Sequence, residues 1–81
     1  MAYLRTTPGC PWYVYWVASD YTTREEQIIS IDCKEFSYNE VKNSFDVDFI
    51  MYVYMCSEKH AIMLRKALDA FITDVDKRYP N

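Results

Sequence analysis

Residues 45–56 read FDVDFIMYVYMC, and the period assigned to this stretch decides the fold. It opens in strict alternation, with Phe45, Val47, Phe49, Met51, Val53 and Met55 on one side. Asp46, Asp48, Ile50, Tyr52 and Tyr54 fall on the other. A period of two, with β-branched and aromatic residues throughout, predicts a β-strand over Phe45 to Cys56. A helix laid over the Phe49, Met51 and Val53 side would leave Ile50, Tyr52 and Tyr54 facing the other way.

The covering helix is supplied downstream. Ser57 offers an N-cap, Glu58 complements the positive helix end, Lys77 and Arg78 complement the negative end, and Pro80 forbids continuation. Ala61, Leu64, Leu68, Phe71 and Val75 recur at three and four residues, flanked by Ile62 and Ile72, so one stripe faces a core. At about 1.5 Å per residue the helix runs roughly 30 Å, enough to cross a small sheet. Upstream, Ser37-Tyr38-Asn39-Glu40 has the spacing of a capping box and predicts a short helix to about Ser44. QIISIDC (Gln27 to Cys33) predicts a strand with Ile29, Ile31 and Cys33 on one side, hairpinned to an apolar strand from Trp12 to Ala18 that suits burial on both faces. The expected architecture is a small α+β domain spanning 1–81. It has a three-stranded, mainly antiparallel sheet, one long C-terminal helix on one face and a short helix before the last strand.

Composition sets outer bounds on function. The chain of 81 residues is 51% hydrophobic and 17% aromatic, with eight Tyr, so it holds enough material for a core. A net charge of −3, with nine scattered Lys and Arg, supplies no cationic track for a phosphate backbone, and nucleic acid is a poor fit. Three cysteines without a C-x-x-C pair suit reduced thiols in a cytoplasmic setting better than a disulfide framework. The apolar runs, Cys10 to Ala18 and Phe49 to Cys56, are less than half the roughly 20 residues that span a bilayer, so no membrane segment is expected. Arg5, the run to Val17 and Ala18-Ser19 follow the order of a signal peptide, but bulky aromatics and Pro11 break the match.

No catalytic set emerges. Cys10-Pro11-Trp12-Tyr13 is similar over about five residues to the C-P-Y-C site of glutaredoxins. The resolving position is Tyr13, however, and strand formers follow where a thiolate-stabilising helix N-terminus is needed. Cys10, Cys33, Cys56 and His60 make up a Cys3His donor set in which Cys56 and His60 lie one helical turn apart, but Cys10 and Cys33 are single residues rather than a close pair, so no metal is expected. Ser57 and His60 lack a third group to orient the ring. Asp46 and Asp48 share a strand side, with no third acid nearby to complete a cation site. With Gly9 as the single glycine there is no phosphate loop, and no cofactor is expected.

What remains is a face too apolar to leave wet: Ile50, Tyr52 and Tyr54, joined from the first strand by either Tyr13 and Tyr15 or Trp12, Val14 and Trp16, which is an interface unless residues 1–11 or 34–44 fold over it. Tyrosine suits an interface because its ring gives contact area while its hydroxyl stays hydrated. The acidic positions Glu25, Glu26, Asp46 and Asp48 form a second candidate set. The expected function is therefore non-enzymatic: stoichiometric binding to a larger protein, as inhibitors and adaptors do, of the kind that phages and mobile elements carry. A homodimer through the same face is a variant of this reading. The alternatives are a nucleic-acid module that stacks bases on the aromatic face and, behind it, a small thiol or zinc protein.

Overall fold

The computed structural model describes residues 2–4, 12–17 and 22–80. Three short strands, β2 (Val14–Val17), β3 (Ile28–Ile31) and β4 (Lys34–Ser37), form an antiparallel meander, and β1 (Ala2–Leu4) adds antiparallel to the β2 edge. Three helices follow: α1 (Tyr38–Ser44), α2 (Val47–Tyr54) and α3 (Glu58–Arg78). The class is α+β, with an antiparallel sheet and a long C-terminal helix packed on one of its faces, as the sequence predicts.

Residue alternation sorts the sheet. Val14 pairs with Ile31 and Trp16 with Ile29, and these four side chains are buried on the helix side. They meet Leu64, Leu68, Phe71 and Val75 of α3, with the Trp16 and Phe71 rings edge to face at 5.6 Å. Each such side chain taken fully out of water is worth about 1.5–3 kcal/mol. The stripe expected on the C-terminal helix is thus the stripe it buries. The caps agree as well: the His60 N–H donates to Ser57 Oγ at 3.3 Å, and Ser37 and Glu40 complete a reciprocal capping box on α1.

The stretch 45–56 is not a strand. Asp46 caps α2, its Oδ1 accepting from the Phe49 N–H at 2.7 Å, and Asp48 lies in the first turn, where a carboxylate complements the helix dipole. Val47, Ile50, Met51 and Tyr54, spaced i, i+3, i+4 and i+7, turn toward the core. The alternation of Phe45, Val47 and Phe49 with two aspartates comes from a capped helix start, and burial of the second period overrides β propensity. Two smaller corrections accompany it. The strand over 27–33 ends at Ile31, because Asp32 and Cys33 form the turn to β4, which replaces 45–56 as the third strand of the meander. The strand read over Trp12 to Ala18 is Val14–Val17 among the described residues and is buried on one face only; Ala18 lies outside them.

Candidate functional site

Where β2, β3 and β4 turn their second face outward, no described element covers them. Tyr13 is 57% exposed, and Val17 and Ile28 are each 46% exposed. The Tyr13 and Tyr15 rings, two residues apart and so on one side of the chain, stack at 6.1 Å with 13° between their planes. Tyr13 is anchored just before β2: its backbone N–H donates to Asp32 Oδ1 at 2.8 Å, and its carbonyl accepts from the Asp32 N–H at 2.9 Å.

Tyr15, Ser30 and Glu35 lie side by side across the three strands. Ser30 is the small member of this row, and a shallow open concavity of about 300 Å³ lies over the face, lined by Tyr15, Val17, Ile28, Ser30, Glu26 and Glu35 among others. Among the described residues its lining carries two carboxylates and no basic group.

The rim of the concavity is fastened by a buried polar chain. Gln27, 3% exposed, accepts from Trp16 Nε1 at 3.0 Å, while its own amide donates to Thr22 Oγ1 and to the Thr23 carbonyl at 3.2 Å. A 3₁₀ turn, Arg24–Glu26, follows, in which Glu26 accepts from both the N–H and the hydroxyl of Thr23. These hydrogen bonds favour the ionised form and hold the Glu26 carboxyl below its ordinary range. On the far side of the turn Arg24 lies 3.6 Å from Asp76 and 5.5 Å from the Tyr38 ring centre, and the Tyr38 hydroxyl donates to Asp76. The Lys42 ammonium donates to Tyr38 Oη at 3.1 Å, and this bond raises its pKa.

The tyrosine face expected from the sequence is divided by the fold. Tyr13 and Tyr15 stay together on the open sheet face. Ile50 is fully buried on the inner side of α2. Tyr54 turns inward at one end of the sheet, against Trp12 and Phe36 with the Lys34 ammonium 5.3 Å from its ring centre, and its hydroxyl is buried without a hydrogen-bond partner among the described residues. Burial pushes this phenol up to about 12, with a smaller contribution from the Asp32 carboxylate. Tyr52, 83% exposed, stands on the outer side of α2, in line with Phe49 and the 91% exposed Met55.

The acidic set divides too. Glu26 lines the concavity, Glu25 pairs with Arg24 at 3.6 Å, and Asp46 and Asp48 serve the start of α2 rather than one side of a strand. Val17, Ile28, Ser30 and Glu35 also line the candidate site, beyond the residues expected there. The off-phase positions of QIISIDC already marked Ile28 and Ser30, whereas nothing marked KEFS (34–37) as a strand.

Among the described residues, the chemistry-bearing side chains do not converge. Cys33 sits exposed in the β3–β4 turn, Cys56 is a half-buried free thiol 4.0 Å from the Ile50 carbonyl, and Cys10 lies outside the described residues. Among the described residues no three His, Cys, Asp or Glu come together to hold a metal ion. His60 packs edge to face on Trp12 at 5.7 Å, and Ser57 is occupied as a cap. No helix among the described residues is long and apolar enough to cross a membrane. Compared with known protein families, curated proteins and solved structures, the chain matches none.

Proposed function

We propose that this protein acts without catalysis, in the cytoplasm, by binding stoichiometrically to a larger protein through the open face of its sheet. One observation carries the reading: Tyr13, Tyr15, Val17 and Ile28 form an aromatic and aliphatic surface on a sheet whose other face already holds the core. Contiguous apolar surface of this kind, edged by polar groups, is characteristic of partner sites. A polyanion is disfavoured on the same face, because Glu26 and Glu35 stand where phosphates would approach. The exposed row formed by Phe49 and Tyr52 of α2 with Met55 at its C-terminal cap is narrower and is a secondary contact in this scheme.

The test is site-specific photocrosslinking in cells of the source organism, with benzophenone introduced at Val17, at Tyr52 or at Lys66, an exposed lysine of α3 outside both rows. Adducts with one defined protein from the Val17 position, absent from Lys66, are expected. Adducts confined to Tyr52, or the same products from all three positions, would remove the sheet face from the function.

A further inference from the structure

The concavity beside Tyr15 has a shape and charge that name its occupant more closely than "protein". Its floor is Ser30, the short side chain in the row Tyr15–Ser30–Glu35, so the surface dips between an aromatic ring and a carboxylate. Neighbouring strands are about 4.8 Å apart, which sets the β-carbons of Tyr15 and Glu35 roughly 10 Å from each other. Ile28 supplies an apolar wall, and Glu26 adds a second carboxylate at the rim. The two oxygens of Glu26 are not equally engaged: Oε1 takes both bonds from Thr23. Among the described residues, the basic side chains of this part of the fold turn elsewhere, Lys34 to the Tyr54 ring and Arg24 to Asp76 and Glu25.

Resting on the proposed protein-binding role of this face, we infer that the concavity receives an arginine side chain of the partner. Its aliphatic stem lies along Ile28, and its guanidinium stacks on Tyr15 and donates to Glu35 and Glu26. An aromatic face beside carboxylates suits guanidinium better than ammonium, because the planar group can stack and donate a fork of hydrogen bonds together. Charge also decides against a second copy of the chain. Two such faces docked about a twofold axis would set Glu26 and Glu35 of one against the same acidic face of the other, with no basic group among the described lining residues of either to offset them.

A random 12-residue displayed-peptide library, selected against the full-length protein at low salt, supplies the probe. Selected peptides should be enriched in arginine and should shift the amide resonances of Tyr15, Ile28, Ser30 and Glu35. Replacing the arginine by citrulline, which keeps the shape and removes the charge, should weaken binding about tenfold or more. Glu35→Gln should weaken it about two- to fivefold, the range of a solvent-exposed ion pair. Tyr15→Ala should weaken it about fivefold or more, as loss of an interface anchor does. Thermal melts matching the wild type establish that the variants are folded, and Ser30→Gln, which fills the dip without removing any partner group, gives an independent loss of binding. Peptides that bind this face without arginine and ignore Glu35→Gln would overturn the inference while leaving the face as the protein interface. Selection of peptides that map to α2, or of none at all, would overturn both. Self-association that shields Tyr15 would sink the arginine pocket and replace the partner with a second copy.

Discussion

Asp32 and Cys33, the two central residues of the β3–β4 hairpin, both hold positive φ, 49° and 71°. A two-residue loop between Ile31 and Lys34 requires this, because only a turn of that handedness matches the twist of the strands it joins. Asp tolerates the left-handed region; Cys does so at a cost of roughly 1–2 kcal/mol, part of which glycine returns through its greater freedom in the unfolded chain. Cys33→Gly is therefore expected to raise stability by about 0.5–1 kcal/mol, and Cys33→Val to lower it, in urea melts. Equal midpoints for all three proteins would show that the turn does not require these angles. Tyr54 carries a cost of a different kind, a phenol whose buried hydroxyl lacks a partner among the described residues. Its folded pKa of about 12 lies above the ordinary 10.0, so the unfolded chain loses this proton first as the pH rises. The stability due to the protonated form is complete below about pH 10 and disappears between there and about pH 12. Tyr54→Phe should leave stability at pH 7 unchanged or raise it by about 1 kcal/mol, and should flatten the alkaline fall relative to wild type. A clear loss of stability at pH 7 would mean that the hydroxyl is hydrogen-bonded after all.

At the scale of elements, the same chemistry explains which ones could be read from the sequence. α3 was legible because its stripe, its N-cap Ser57 and its final Pro80 agree with one another, and every stripe residue from Ala61 to Val75 is buried. Leu68→Ala is accordingly expected to destabilise by about 2–5 kcal/mol in chemical denaturation, and an unchanged midpoint would mean that the stripe does not face the core. α1 was legible from four residues, because a capping box satisfies two orphan backbone donors at once. α2 was not, because eight residues are too few for a 3.6 period to outweigh an apparent alternation, and Asp46 reads equally well as a strand's polar face or a helix cap. The candidate site shifts with α2. Tyr13 and Tyr15 kept their place, since β2 was correctly a strand, whereas Ile50, Tyr52 and Tyr54 went to three different environments once their spacing of two became 200° of helix rotation. Strand β4, KEFS, carries two charges and one strand-former, so only its pairing with β3 and the contact of Phe36 with Phe45 at 4.9 Å reveal it.

At the scale of the molecule, all three helices and the inward residues of the sheet share one core, and no described element covers the other face of the sheet. A two-layer arrangement is stable with one wet sheet face, since antiparallel sheets ordinarily pack one side and hydrate the other. What separates this face from an ordinary wet one is that Val17 and Ile28, both outward, replace the polar residues expected there. If their role is to meet a partner, their removal should divide binding from folding. Val17→Thr with Ile28→Thr keeps β-branched side chains in the strands while making the patch polar. The double variant should melt within about 0.5 kcal/mol of wild type, as substitutions on exposed positions do. It should also lose partner capture in the photocrosslinking assay with the probe at Tyr13, at the rim of the patch. Were the face instead a support for folding, the order would reverse, with the melting point falling first and capture declining only in proportion to the unfolded fraction. Capture and stability that both remain at wild-type level would place the interface elsewhere, with the Tyr52 row of α2 next to be tested.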